Sequence, residues 1–349
     1  MRSSEDLFLT SSKSAAGASL PAAREAAEHV LAAHGSAADA IVAAFFAIAG
    51  SEPAGLFAPT VALVAGAAAV GRVFDGRAAQ PGLGVARPRG FTGEVPLAGR
   101  AAVPRAPHAI LLVHATFGRR SLREVTRPGR DVAKALGATK RAAFIERFGE
   151  LGALALSGER EAILRIAGPL ASGLLTEADL AAVRVQDQAA LLVDAQSESG
   201  ESMRIALEPW EAGAVYSDAP IVVAAADARG QIAALAVFAA VDGAALLVPE
   251  IEVALPLVAE PVLRGKQRVA AGTIFPVPKT LWTVDCGAVL RAAGAAVAGG
   301  LGDRDAKAIA AALGERPLEA GLARLGSKGA LVVALATSHE ARALVTGGP

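Results

Sequence analysis

Residues 34–53 read HGSAADAIVAAFFAIAGSEP, and the fold turns on where this stretch lies. Ser36 is placed to cap a helix over residues 37–49, after a break at Gly35 that ends an earlier helix over residues 22–33. The weakly charged region continues to Arg72, interrupted by Ser51-Glu52-Pro53 and Pro59. About 18 apolar residues is the lower edge of a membrane span, so a membrane hairpin competes with a buried core. Runs built of Ala and Gly carry little large apolar surface, which favours the core; no membrane association is expected.

The rest of the composition agrees. Of 349 residues, 53% are hydrophobic and 19% charged, enough to bury the core of one large or two ordinary domains and too apolar for a disordered tail. Thirty-four basic residues balance 34 acidic ones, and no basic patch stands out, so nucleic acid is excluded as a partner. The arginines at 119, 120, 123, 127 and 130 read as a solvated helix face. One cysteine, Cys286, rules out an internal disulfide, and it reads as a small buried apolar residue. Five scattered histidines lack metal-ligand spacing, so no metal and no cofactor is expected. Asparagine is absent throughout. The first residues carry Glu5 and Asp6 and no continuous apolar stretch, which predicts a cytoplasmic protein.

Outward from residue 53, residues 60–73 read as two short buried strands around Gly66, and Asp75-Gly76-Arg77 as a turn. After a Gly-, Pro- and Arg-rich loop over 80–105, helices are expected at 107–116, 122–136, 140–154 and 160–170, with a further helix start capped by Thr176. The period then changes: strands are expected at 189–195, 202–207, 221–226 and 231–238, with Ala228-Arg229-Gly230 as a hairpin turn. Helices at 288–298, 304–313 and 318–325 and a strand at 331–336 complete the reading. Helices before and after a block of antiparallel strands predict α+β layering.

Several motifs, in order, then coincide with one family. Residues 34–53 resemble the start of gamma-glutamyltranspeptidases, where a Gly-Gly-Asn-Ala-x-Asp-Ala-Ala run leads into Glu-Pro. Asp75-Gly76-Arg77-Ala78-Ala79-Gln80-Pro81 is similar to the family's Asp-Gly-Arg-Glu-x-Ala-Pro. Ala102-Val103-Pro104-Arg105 sits where the family has Gly-Val-Pro-Gly. Phe117-Gly118 and Pro128-Gly129-Arg130-Asp131-Val132-Ala133 resemble Tyr-Gly and Pro-Ala-Ile-x-Leu-Ala, and Leu175-Thr176-Glu177-Ala178-Asp179-Leu180 matches Leu-Thr-x-x-Asp-Leu. The resemblance implies a four-layer αββα sandwich of the N-terminal-nucleophile hydrolase type. In that type, autocleavage exposes a threonine whose own amine is the general base. It implies one domain over 1–349, with 1–216 equivalent to the family's large subunit and 217–349 to the small one.

The chemistry does not follow the family pattern. In the family the nucleophile opens a Thr-Thr-His-x-Ser-Val-Val-Asp-x-x-Gly segment; counting back from Asp227 places Pro220 at that position, with Ile221 and Val222 replacing the second Thr and the His. Gly265-Lys266-Gln267-Arg268-Val269-Ala270-Ala271 aligns with Gly-Lys-Arg-Pro-Leu-Ser-Ser, so Ala270 and Ala271 replace the serine pair that holds substrate. The family's Asn has no equivalent, and its Gly-Gly pair has no clear match in 275–287. These losses predict a catalytically degenerate, uncleaved chain serving as a structural, binding or partner subunit, with itself or an active paralogue. One alternative is an enzyme of gamma-glutamyl or amide chemistry using Ser217, three residues before the aligned position; Thr273 is a weaker candidate. A third reading centres on Arg77, which in the family grips the glutamyl carboxylate, making the chain a binder of a small carboxylate; otherwise Arg77 braces a loop.

Overall fold

The computed structural model describes residues 6–9, 14–66, 69–84, 90–196, 202–210, 220–239, 245–285, 294–299, 331–336 and 341–346. In chain order, strands β1 (Asp6–Leu9) and β2 (Ala15–Ala18) precede helices α1 (Pro21–Ala32) and α2 (Ala37–Ser51). The pair β3 (Thr60–Gly66) and β4 (Ala69–Gly76) leads to a helical block: α3 (Ala106–Phe117), α4 (Leu122–Ala135), α5 (Thr139–Leu151), α6 (Leu154–Ser157), α7 (Arg160–Ala167) and α8 (Glu177–Ala181). Strands follow: β5 (Asp187–Ala189), β6 (Leu191–Gln196), β7 (Ser202–Leu207), β8 (Ile221–Ala226), β9 (Gln231–Val237), β10 (Leu246–Val248), β11 (Val253–Leu255), β12 (Leu281–Asp285), β13 (Gly294–Gly299), β14 (Leu331–Ala336) and β15 (Ala341–Thr346).

Two antiparallel sheets stack. One has six strands in the order β2-β8-β9-β3-β4-β5, the other seven in the order β1-β15-β14-β13-β12-β7-β6. Between them lies a core of small side chains, including Ala224, Ala234, Ala236, Ala296, Ala298 and Ala334 with Val61, Leu63 and Val222. A second core, on the other face of the six-stranded sheet, holds α2 against α1, α3, α4 and α5. The described residues thus form a helical layer over two sheets. The helices expected at 304–313 and 318–325 lie outside the described residues.

The opening stretch occupies the centre of the helical layer. Residues 37–50 of α2 are all buried, as a helix apolar around its whole circumference requires. No described helix is long and apolar enough to cross a membrane. Helix α4 packs on α2 so closely that a Cβ on Gly129 would lie 2.0 Å from the Phe46 carbonyl oxygen, and one on Gly50 2.2 Å from the Gly129 oxygen. Around this contact Phe46 of α2 meets Phe148 of α5, and Phe148 meets Phe144, in tilted and edge-on pairs.

The structure corrects the sequence reading in four places, the first being the strand expected at 189–195, which breaks at Ala190 into β5 of one sheet and β6 of the other. The helix expected at 288–298 is strand from Gly294, paired with both β12 and β14. Its run of Ala and Val favours a helix locally, but at this position fully buried Ala296 and Ala298 face the other sheet, and the small side chains serve close sheet packing. The single helix expected at 140–154 is split by Gly152, whose φ of 56° ends α5. Asp75-Gly76-Arg77 is no turn: β4 runs to Gly76, and the reversal comes after Gly66, whose φ is 84°.

Candidate functional site

Strand register places the two ends of β8 in different surroundings. Its far end runs into the β8–β9 hairpin, where Asp227 Oδ1 accepts from the backbone of Arg229 and Gln231. The same carboxylate accepts from Ala37 N through Oδ2, and the Gln231 side chain accepts from Ala38 N at 3.0 Å. The α2 N-terminus is therefore capped from inside by Ser36 and from outside by this hairpin. Asp39 closes the network: it accepts from Ser36 N and Ser36 Oγ and from the backbone of Arg119 and Arg120. Arg119 reaches back to Asp227 at 3.5 Å. The motif in residues 34–53 is thus a structural junction.

The near end of β8 differs. Ile221, Val237, Thr60 and Gly76 stand opposite one another in successive strands, forming one row across the sheet. Pro220 comes immediately before that row on β8 and Arg77 immediately after it on β4. Three inter-strand steps separate the two strands, roughly 14 Å. Pro220 is half-buried and offers no side-chain nucleophile; Val222 is fully buried in the inter-sheet core. The Val222 N–H donates to Ser19 Oγ at 3.0 Å, the hydroxyl that closes this end of the strand pair. Ser217 and Cys286 lie outside the described residues, and Thr273 is exposed.

Arg77 is 8% exposed and held on three sides. Its Nε and Nη2 form a bidentate pair with the two oxygens of Asp75, at 2.9 and 3.1 Å, and its backbone N–H donates to the same carboxylate. The Trp210 ring lies over the guanidinium, 3.9 Å from its centre to Cζ. A second guanidinium, Arg105, stands 3.5 Å from Asp75 and donates to the Arg77 carbonyl. Burial alone would raise the Asp75 pKa, but hydrogen bonding and charge from Arg77, with Arg105 behind, outweigh it and hold the carboxyl below its usual range. A buried and a half-buried cation share one anion here.

The segments carrying Arg77 and Ala270–Ala271 meet. Gly272 N donates to Gln80 O, Gln80 N to Thr273 O and Phe275 N to Ala78 O, so residues 77–80 and 270–275 run side by side. Ala270 is exposed and Ala271 half-buried, each presenting a methyl group. Asp179, in the Leu-Thr-x-x-Asp-Leu element, forms a capping box with Thr176 and accepts from Gly82 and Leu83 backbone amides, bracing the loop beyond Pro81.

Two residues escaped the sequence reading. Trp210 was hidden because its partner lies 133 positions away. Glu208 is fully buried after β7, on the same inward parity as Ala206; one carboxyl oxygen accepts from Thr280 N and Leu281 N, and the other finds no partner among the described residues. Burial pushes its pKa up to about 7, against the pull of those amides and Lys279. A glutamate at an inward-facing strand position was the available signal. Among the described residues no group of three metal-ligating side chains occurs.

By sequence, no family model and no curated protein matches the chain. By structure it is similar to LmbA2991 in two determinations, with TM-scores of 0.64 and 0.62 and 15% identity in both, over 99% and 100% of this chain and 98% of each of those. Cephalosporin acylase from Bacillus halodurans superposes with a TM-score of 0.62 at 14% identity, over 100% of this chain and 96% of that one. At this identity the likeness establishes architecture. The chain has a mixed helix-and-sheet fold shared with these proteins.

Proposed function

We propose that this chain is a catalytically degenerate, gamma-glutamyltranspeptidase-like protein that stays uncleaved and acts as a structural, binding or partner subunit. The observation that carries the reading is Pro220 at the head of β8. A proline exposed by cleavage would have neither a hydroxyl to attack nor a primary amine to serve as base, and losing general-base assistance alone costs about 10² to 10⁴ in rate. Ile221 and Val222 bring only apolar groups beside it, and Ala270 and Ala271 bring only methyls to the Arg77 loop. We read the fold as a four-layer αββα sandwich of the N-terminal-nucleophile hydrolase type, and the whole chain as one domain. Intact mass and a denaturing gel test the proposal: a single species near 34.9 kDa is expected. Two fragments dividing between residues 216 and 220 would overturn it and turn attention to Ser217, whose Ser217→Ala variant should then abolish release of amine from a gamma-glutamyl anilide.

A second reading has its own support, because Arg77 and Arg105 share Asp75 and leave the cluster with an excess positive charge. On this reading the subunit holds a small carboxylate there. Glutamate at millimolar concentration should raise the melting temperature, and Arg77→Ala should remove the rise.

A further inference from the structure

On the helical side of the molecule, away from the row of Pro220 and Arg77, a cavity of about 30 Å³ opens between α3, α6, α7 and α8. A water needs about 10–15 Å³ of such space, so the cavity takes two or three groups of that size, a carboxylate with at most a methyl group. Its polar lining is His108, Ser157 and Arg160, and its apolar wall includes Leu156, Ile163 and Leu180.

Three observations point to an anion. His108 Nδ1 is buried and has no hydrogen-bond partner among the described residues. Arg160, half-buried at the start of α7, forms no ion pair among them. The acids of the surrounding elements are engaged elsewhere or exposed: Glu159 pairs with Arg147 at 2.6 Å, Glu161 approaches Arg165, Asp179 caps α8, Asp75 is shared by Arg77 and Arg105, and Glu177 is exposed. The charged groups acting on the His108 ring are both cationic, Arg105 and Arg160. Burial first, and then those two cations, hold the His108 pKa below its ordinary value, so the ring is neutral at pH 7 and carries one N–H.

We infer that this cavity binds a small organic monoanion, a carboxylate no larger than acetate, held by Arg160, the His108 ring and the Ser157 hydroxyl, with its methyl group against Leu156, Ile163 and Leu180. A bare halide would satisfy the charge and leave the apolar wall unused.

The test follows the His108 ring by nitrogen-15 NMR over a pH series, identified among the five histidines by its loss in His108→Gln, or from its backbone correlations if that variant does not fold. Sodium acetate and propionate are compared with sodium chloride at matched ionic strength. Acetate should shift the His108 resonances saturably and raise its pKa, leaving the other histidines unmoved. Propionate, one carbon longer than the cavity takes, should bind more weakly, and Arg160→Gln should weaken both about tenfold, the loss of one charge-assisted hydrogen bond. An unresponsive ring, an equal response to chloride, or undiminished binding in a folded Arg160→Gln variant would each overturn the site.

Discussion

The two ends of β8 have followed different rules. At the hairpin end, Asp227, Gln231, Asp39 and Ser36 accept from the free amides of α2 and of the loop before α4, and the Arg119 side chain donates to Asp227. At the other end, Pro220, Ile221 and Val222 offer no polar side chain, although the same strand and the same sheet carry both. The difference lies in what the fold needs. A buried amide without a partner costs about 1–3 kcal/mol, so packing alone maintains the first set. Nothing in the packing asks for a hydroxyl at the head of β8.

The largest effect should come from the hairpin end. Asp39→Ala removes a buried acceptor of several N–H groups at once, and urea unfolding should show a loss of about 3–5 kcal/mol. A loss below about 1 kcal/mol would mean that the junction is not what fixes α2. Across the sheet, Asp75→Asn leaves Arg77 and Arg105 without their anion; a loss of about 3 kcal/mol is expected at neutral pH, shrinking as pH falls through the lowered pKa of Asp75, because there the wild type loses the charge as well.

Glu208, close in sequence to the Trp210 that covers Arg77, gives the opposite pH sign. Its folded pKa is about 7 against an ordinary 4.5, so the native state holds the proton more tightly than the unfolded chain. Its contribution is fully present below pH 4.5 and is lost as pH rises through about 7, in all about 3 kcal/mol. Glu208→Gln should flatten that slope in unfolding experiments across the range; an unchanged slope would assign the effect to another group. The smallest effect is expected at the head of β8. Pro220→Thr should change stability by no more than about 1 kcal/mol and leave the chain in one piece by intact mass, since no basic or oxyanion-binding partner is supplied with the threonine. Cleavage of that variant would show that only the side chain was missing.

Much of the first region was legible in the chain. Ser36 as cap, the break at Gly35 and the apolar run of α2 are local signals, and each acts within a few residues. The same holds for Thr176 and for the Ala228-Arg229-Gly230 turn. The Ala-rich β13 was misread because alanine shows no two-residue alternation: inward and outward positions look alike when all are small. Glu208 was passed over because its burial depends on strands that arrive more than 70 residues later.

Residue order thus settled the caps, the helical block, the apolar character of positions 220–222 and the balance of charge, all of which follow from side-chain chemistry and short-range spacing. The pairing of Arg77 with Trp210, the sharing of Asp75 by two guanidiniums, the meeting of residues 77–80 with 270–275 and the cavity at His108 were set by strand register and helix packing. These contacts join positions tens to hundreds of residues apart. No local propensity encodes such distances, and they exist only once two sheets and a helical layer have closed on one another.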